Sequence, residues 1–264
     1  MGWFASTSSG VACTIGDRGF GRVCPNVNNF KGDDMYTLYI ANKLYSSWSL
    51  RPWVLMTEKS IPFTERIVPL SEGSNWEKYR SFAPNGRVPC LHDGEIVVWD
   101  SLSIVEYLAE RHPGIWPTDT IARAWSRSAA AEMHSGFSNL RQQCSMHCSL
   151  RIQLPGISAS LQQDLDRIDE LWNDGLQRFG GDFLGGDTFT AVDAFFAPIS
   201  IRIQTYGLLL SEKSMAYAQR LSSLNSMQNW IAAGIQEPWR EMNHEQEVLQ
   251  SGTLLGDISH RQSE

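Results

Sequence analysis

Two kinds of apolar pattern divide the chain at about residue 115. Between residues 36 and 115, short apolar runs of strand type alternate with one-sided helical patterns, which predicts a mixed α/β unit. Between residues 120 and 240, apolar positions recur at helical spacing almost throughout, which predicts helices without strands. We therefore expect an α/β domain over 36–115, followed by an all-helical (all-α) domain over 120–240.

The first unit is predicted to run β–α–β, then a connecting helix, then β–β–α. Its strands are expected at 36–41, 63–68, 88–92 and 95–99, and its helices at 50–59, 75–82 and 101–111. Ser49 is the expected N-cap of the first helix, and Asp93-Gly94 is a strong hairpin signal between the last two strands. The opening β–α–β order implies parallel strands joined by a helical crossover.

The second unit is predicted to contain five helices. They are expected at 122–140, 161–179, 191–206, 214–221 and 226–233. Thr190 and Asp193 have the spacing of a capping box before the third of these helices, and we interpret the pair as a folding element.

The two ends of the chain differ in composition from the rest. Residues 1–35 are rich in Gly, Ser and Asn and show no helical or strand period, so we expect an irregular N-terminal extension. They lack the basic start and continuous apolar stretch of a secretory signal, and they contain acidic residues that a transit peptide avoids. The segment 241–264 is polar and is expected to be a tail.

Charge and composition narrow the function classes. The 264 residues carry a formal net charge of −7 and are 42% hydrophobic, which favours a soluble protein with an ample core. A negative chain disfavours nucleic acid as a partner, because phosphate binding needs a basic surface. No apolar run approaches the roughly 18 residues that span a bilayer. We therefore expect a cytoplasmic protein with neither nucleic acid nor membrane as a partner.

The five cysteines are an odd number at irregular spacing, which predicts free thiols in a reducing compartment. Cys144 and Cys148 lie one helical turn apart, beside His147, and a metal site there is conceivable. No second ligand pair follows at finger-like spacing, so we favour two packing thiols and expect no metal.

Three short motifs occur in order in the first unit. They are YSSWSLRPW at 45–53, NGRVPC at 85–90 and DSLSI at 100–104. In this order and at these separations they resemble cytosolic glutathione transferases, and the likeness covers roughly residues 36–240. The resemblance implies a thioredoxin-like N-terminal domain, an all-helical C-terminal domain and glutathione as the co-substrate.

The first motif carries the residues expected to activate glutathione. A serine hydroxyl at the start of the first helix could donate to the sulfur, and the helix end adds partial positive charge. The paired serines resemble the zeta-type pattern, which favours Ser46, with Ser47 as the alternative and Tyr39 or Tyr45 as other candidate hydroxyls. Zeta-type enzymes carry a cysteine where this chain has Trp48, so a thiol–disulfide role for that position is not available.

The other two motifs are expected to hold the peptide part of glutathione. The resemblance implies a cis bond before Pro89, which would turn the backbone of Val88 toward the ligand for strand-like pairing. Arg87 could reach the glycyl carboxylate, and an exposed surface arginine is the alternative. Ser101, at a helix N-terminus, could receive the γ-glutamyl carboxylate, and Asp100 would face the γ-glutamyl ammonium group; a plain N-cap pair is the alternative for these two residues.

The second substrate is expected between the domains, beside the helix predicted over 122–140. Candidate residues on that helix and just after it are Trp125, Met133, His134, Phe137 and Arg141. We interpret His134 as a structural histidine. Arg141 could hold an acidic substrate, but we favour a solvent-facing arginine.

The resemblance implies a homodimeric transferase that attacks small, mostly apolar electrophiles in detoxification. Glutathione-dependent isomerase and peroxidase activities would use the same glutathione site. A non-catalytic protein that binds glutathione and other ligands, and a docking module, are the alternatives from other classes.

Overall fold

The computed structural model describes residues 35–259, so Cys13, Cys24 and all but the last residue of the predicted N-terminal extension lie outside it. The apolar runs between residues 36 and 99 form one four-stranded sheet. Its strands are β1 (Tyr36–Ile40), β2 (Phe63–Ile67), β3 (Cys90–Asp93) and β4 (Ile96–Trp99). Their order is β2-β1-β3-β4, with β1 and β2 parallel and the other pairs antiparallel.

Three helices complete the N-terminal domain: α1 (Ser47–Glu58), α2 (Trp76–Arg80) and α3 (Ser101–Ala109). Helix α1 connects the parallel strands β1 and β2, because a parallel pair cannot be closed by a tight turn. Helix α3 follows the β3–β4 hairpin and packs beside α1. This order confirms the predicted thioredoxin-like domain.

The C-terminal domain consists mainly of helices, as predicted. They are α4 (Thr120–Ser135), α5 (Ser138–Gln143), α6 (Ala159–Phe179), α7 (Ala191–Tyr206), α8 (Glu212–Ser222), α9 (Asn225–Gln236) and α10 (Met242–Gln250). The single helix expected over 122–140 is wrong, because Gly136 leaves the helical conformation and Phe137 has φ 58°. The break separates α4 from α5. None of the helices within residues 35–259 is long and apolar enough to cross a bilayer.

Two short strands depart from the expectation of helices followed by a polar tail. Strand β5 (Leu150–Gln153) pairs antiparallel with β6 (Thr253–Asp257), and α10 precedes β6. Helix α10 has one buried side chain, Val248, and β6 gains its hydrogen bonds from a strand about one hundred residues earlier. A segment with so few apolar contacts has no local period strong enough to predict it.

Helix α7 forms the centre of the C-terminal domain and packs against α1, α4 and α8. The carboxylate of Asp193 in its first turn is completely buried. It accepts hydrogen bonds from the N–H groups of Leu184 (3.0 Å) and Thr190 (2.8 Å) and from the Tyr217 hydroxyl (2.8 Å). Burial raises the pKa of Asp193, and these bonds act against that rise. The Thr190–Asp193 pair therefore joins α7 to the loop before it and to α8.

Asp193→Ala is expected to lower the free energy of unfolding by about 3–5 kcal/mol, because four buried donors, including the Thr190 hydroxyl, lose their acceptor. Urea unfolding followed by circular dichroism measures this change. Asp119→Ala is the matched control, since Asp119 caps α4 through one bond to the Ala122 N–H and its loss should cost about 1 kcal/mol. Equal losses in the two variants would contradict the role assigned to Asp193.

Candidate functional site

The N-terminus of α1 places two adjacent serines at the edge of a cavity. Ser46, and not Ser49 as predicted, is the N-cap: its Oγ accepts from the Ser49 N–H at 3.4 Å and donates to Ser49 Oγ at 2.8 Å. Ser49 lies inside the first turn and accepts from the Ala41 N–H (3.2 Å), which ties the helix to the end of β1. Ser47 is the first helical residue. The N-terminal end of the α1 dipole gives the cavity edge partial positive charge.

The cavity has a volume of about 540 Å³ and is bordered by both domains. From the N-terminal domain it is lined by Ala41, Tyr45, Ser46, Ser47, Trp48, Leu70, Asn75, Trp76, Tyr79, Gly86, Arg87 and Val88. From the C-terminal domain it is lined by Arg141, Ser145, Met146, Arg202, His244 and Glu247. This volume falls in the range typical of ligand pockets.

The loop before β3 presents its backbone to the cavity. The Val88–Pro89 bond is cis, as the resemblance implies, and within residues 35–259 no backbone hydrogen bond engages the N–H or C=O of Val88. Gly86 has φ 60°, and a Cβ there would lie 2.5 Å from the Trp76 ring. Glycine thus permits the close approach that shapes this loop. Arg87 is exposed at the cavity edge.

Asp100 and Ser101 lie at the start of α3 and do not line the cavity. Asp100 has φ 76°, an unusual conformation for a residue other than glycine, and its carboxylate caps α3 through the Leu102 N–H (2.8 Å). The Ser101 hydroxyl is buried and has no hydrogen-bond partner among residues 35–259. The predicted N-cap is confirmed, whereas ligand binding by these two residues stays a prediction.

His134 contacts both the start of α3 and the first turn of α1, which follows Ser46. Its Nε2 lies 3.4 Å from Asp100 Oδ2, and its ring packs edge-on against Trp48. Burial, together with the charges of Arg51 and Arg141, lowers the pKa of His134 although Asp100 acts to raise it. Because its pKa is lowered, His134 is mainly neutral near pH 7, and its contact with Asp100 is then not an ion pair.

A buried arginine from α7 reaches the serines across the domain boundary. The Arg202 guanidinium is 4% exposed and donates from Nη2 to Ser47 Oγ (3.3 Å) and from Nη1 to the Cys144 carbonyl. Burial lowers the pKa of Arg202. The hydroxyl of Ser47 therefore accepts from a cation and keeps its own hydrogen for another acceptor.

Arg141 is not the solvent-facing residue that the sequence suggested. It is half-buried, lines the cavity and donates to the carbonyls of Gly136 (3.0 Å) and Met133. Its guanidinium lies 4.7 Å from the Trp48 ring centroid. Burial and the charge of Arg202 lower the pKa of Arg141 to about 10, so it remains charged at neutral pH.

Helix α10 closes another side of the cavity. Glu245 accepts from the Tyr45 hydroxyl, lies 3.3 Å from His147 Nε2 and pairs with Arg240 at 3.7 Å. His244 stacks on the Tyr45 ring and lines the cavity. A segment expected to be a tail thus holds one of the candidate hydroxyls, so Tyr45 is committed to a carboxylate.

The cysteines of the described region take a packing role. Cys90, Cys144 and Cys148 are free and buried, and burial raises the pKa of all three thiols, that of Cys90 and Cys144 to about 12. Thiols of this kind are poor nucleophiles and poor metal ligands. Within residues 35–259, no group of three or more His, Cys, Asp or Glu side chains is placed to hold a metal ion.

The structure brings together four of the seven predicted site residues in one cavity: Ser46, Ser47, Arg87 and Val88. Pro89 does not line the cavity, but its cis bond fixes the backbone of Val88. Asp100 and Ser101 also lie outside the lining. Of the five candidates for the second-substrate site, Arg141 alone lines the cavity. Sequence reasoning missed Arg202, His244 and Glu247, because each reaches the site from an element distant in sequence.

Comparison with known proteins gives consistent similarities. The sequence profile of the glutathione S-transferase N-terminal domain matches residues 45–111. Glutathione S-transferase hmp2 of Hypomyces subiculosus is 26% identical over 215 residues, which cover 72% of this chain and 96% of that protein. A zeta-class glutathione S-transferase of Euphorbia esula is 28% identical over 168 residues, 59% of this chain and 73% of that protein.

Among solved structures, a glutathione transferase homologue from Burkholderia GL BGR1 with bound glutathione has the same fold. The TM-score is 0.59 at 22% sequence identity, and the alignment covers 77% of this chain and 100% of that one.

Glu245→Gln is expected to loosen α10, because Tyr45, His147 and Arg240 then lose a charged partner. Hydrogen exchange of the α10 amides at neutral pH should become about tenfold faster, as expected for about 1.4 kcal/mol. Glu110→Gln, which removes an exposed carboxylate directly after α3, is the control and should leave α10 unchanged.

The same contacts predict a pH dependence. Burial acts to raise the pKa of Glu245, but hydrogen bonds from His147 and Tyr45 and the nearby charges hold it below its usual value of 4.5. A carboxyl with a lowered folded pKa stabilises above that usual value and stops doing so as pH falls through the folded one. Intrinsically corrected exchange of α10 should stay slow from pH 8 to about pH 5 and rise at lower pH. A flat profile down to pH 3 would contradict this assignment.

Proposed function

We propose that the chain is a glutathione transferase that activates glutathione as a thiolate for attack on small electrophilic compounds. One observation carries the proposal: a single cavity contains two serine hydroxyls at a helix N-terminus and a Val88 backbone whose N–H and C=O groups make no backbone hydrogen bond within residues 35–259. The first feature suits a thiolate. The second suits the cysteinyl backbone of a peptide ligand, paired like an added strand.

Thiolate formation is the step that the site residues would promote. A free thiol has a pKa near 8.5 and is mostly protonated at pH 7. Lowering that pKa by about 2 units requires about 3 kcal/mol of preference for the charged form. The α1 N-terminus, a serine hydroxyl donating to sulfur and the buried guanidinium of Arg202 all favour negative charge at this position.

The hydrogen-bond pattern supports a larger role for Ser47 than the sequence suggested. The hydroxyl of Ser46 is engaged with Ser49 in the first turn of α1. Ser47 accepts from Arg202, so its hydrogen is available to donate to the glutathione sulfur. We keep both serines as candidates, with Ser47 favoured by geometry and Ser46 by the zeta-type resemblance.

The chemical step follows from placement of the two reactants. The thiolate forms the C–S bond while the leaving group departs with the electron pair of the bond that breaks. Holding the electrophilic carbon about 3–3.5 Å from sulfur removes most of the entropic cost of the encounter. The walls contributed by Met146, Arg141 and His244 would hold the electrophile.

The remaining contacts to glutathione follow from the resemblance. Arg87 at the exposed edge of the cavity would bind the glycyl carboxylate. Pro89 would fix the loop that carries Arg87 and Val88. Asp100 would pair with the γ-glutamyl ammonium group, and the N-terminus of α3 at Ser101 would receive the γ-glutamyl carboxylate. We also propose that the protein acts in the cytoplasm, as a homodimer, in detoxification.

A glutathione-dependent isomerase is the second candidate function, since it needs the same thiolate and the zeta-class relative shares 28% of the aligned residues. Trp48 in place of the zeta-type cysteine weighs against it. Peroxidase activity would use the same site, and non-catalytic binding of glutathione and other ligands is tested by the pKa of the bound thiol. Docking is less well supported, because the cavity retains the two serines beside the backbone of Val88.

Serine replacement tests the mechanism directly. The ultraviolet thiolate absorbance of bound glutathione, titrated from pH 5 to 10, should show a thiol pKa about 2 units below that of free glutathione. Ser47→Ala should raise this pKa by at least about 1 unit, and Ser46→Ala should raise it less. The reverse order would assign the sulfur contact to Ser46.

Ser128→Ala, which alters an exposed serine of α4, is the control and should leave the titration unchanged. An unshifted thiol pKa in wild type, with glutathione still bound, would contradict the transferase mechanism and favour a carrier.

Asp100→Asn tests the γ-glutamyl contact separately. Asparagine is also a good N-cap, so α3 should stay intact while the negative charge is lost. The KM for glutathione should rise about tenfold, as expected for one charge-assisted contact, with no change in the bound thiol pKa. Unchanged KM for glutathione would leave Asp100 as a capping residue only.

A further inference from the structure

The cavity is positively charged in a negatively charged protein. Three arginines line it (Arg87, Arg141 and Arg202), and among its lining residues Glu247 is the single carboxylate. The chain as a whole has a net charge of −7. Glu247 accepts a hydrogen bond from the Ser145 hydroxyl at 2.7 Å and makes no contact within 4.0 Å with any of these arginines. The positive charge of the cavity is therefore opposite in sign to the net charge of the chain.

Arg141 and Arg202 form the C-terminal part of this charge. Their partners are carbonyls, the Ser47 hydroxyl and the Trp48 ring, and neither forms an ion pair with a carboxylate of residues 35–259. Carbonyl and hydroxyl oxygens orient a guanidinium without neutralising it. Arg141 Nη1 and Arg202 Nε have no hydrogen-bond partner there, and neither atom is sealed inside the protein. Each arginine thus keeps a donor for another group.

Arg51, which does not line the cavity, packs on the same Trp48 ring as Arg141. Arg51 is completely buried, and its guanidinium packs 4.2 Å from the Trp48 ring centroid. All three of its side-chain nitrogens lack a partner among residues 35–259. Burial, and then the charges of Arg141 and Arg202, hold the pKa of Arg51 well below its usual value. Like charges brought together in a dry region are unfavourable unless an anion joins them.

We propose that Arg141 and Arg202 form a subsite for a carboxylate carried by the electrophilic second substrate. The inference rests on the proposed transferase function and refines it, since the predicted electrophiles were mostly apolar. The arginines lie beside Met146 and His244, on the side of the cavity built by the C-terminal domain. The carboxylates of glutathione are instead assigned to Arg87 and to the N-terminus of α3. The electrophile therefore combines an apolar reactive carbon with a negatively charged group.

A matched pair of electrophiles tests the subsite. Glutathione displaces chloride from a chloronitrobenzoate and from the corresponding chloronitrobenzamide, with the C–S bond forming and the C–Cl bond breaking in both. Each kcat/KM is divided by the rate of the uncatalysed reaction, which removes the difference in intrinsic reactivity. Wild type should prefer the carboxylate by at least about tenfold, as expected for a charge-assisted hydrogen bond.

Arg141→Gln should remove this preference by raising the KM for the benzoate, with little change for the benzamide or for glutathione. Arg178→Gln removes the same charge from an exposed position at the end of α6 and should behave as wild type. A rise in the KM for glutathione would mean that Arg141 holds a glutathione carboxylate. Equal loss of kcat with both electrophiles would mean that it acts on the thiolate. Either result would overturn the subsite.

A second measurement needs no variant, which matters because Arg141 also holds the end of α4. Nitrobenzoate should inhibit the benzamide reaction about tenfold more strongly than nitrobenzamide, in competition with the electrophile and not with glutathione. Equal inhibition by the two compounds would overturn the subsite.

Failure of the proposed transferase function has a different signature from failure of the subsite: glutathione binds, but neither electrophile turns over. Calorimetry of nitrobenzoate and nitrobenzamide with the glutathione complex then tests the subsite by itself, with preferential binding of the benzoate in support and equal binding against.

Discussion

The packing of α1 against α7 is the contact on which the rest of the structure depends. Helix α1 carries the serines at its N-terminus, and α7 carries Arg202, so burial of one apolar face also joins Ser47 to a guanidinium at 3.3 Å. Asp193 fixes the start of α7 by accepting hydrogen bonds from four buried donors. Packing of the two domains therefore also assembles the site, because neither domain alone contains all the residues that line the cavity.

How much could be predicted from the sequence depended on how local each feature is. The thioredoxin-like order, Ser46 with Ser47, and the Val88–Pro89 bond follow from short motifs, and the structure gathers the serines and Val88 in one cavity. Ser49 was the wrong N-cap because the helix starts three residues earlier, where Ser46 supplies the same kind of oxygen. Arg202 could not be predicted, since it meets Ser47 from 155 residues away and resembles any charged residue of a helix.

The same reasoning explains the C-terminal segment. Its composition is polar, and α10 buries little apolar surface of its own, so no periodic signal marks it. What holds it is a polar set, with Glu245 receiving the Tyr45 hydroxyl and lying near His147 and Arg240. Polar contacts of this kind depend on tertiary placement more than on sequence pattern. Charged residues whose sequence pattern predicts solvent exposure can therefore line a cavity.

The bond between Tyr45 and Glu245 spans 200 residues of chain, and this separation sets the order in which the protein can be completed. Synthesis at about 5–20 residues per second leaves roughly 10–40 s between the emergence of the two partners. During that time the thioredoxin-like domain is already outside the ribosome, with its serines but without Arg202 or α10. The positive cavity and its last wall form only after Arg202 and α10 have been synthesised, so a nascent chain that stops before them has no closed pocket in which a reactive thiolate could be held.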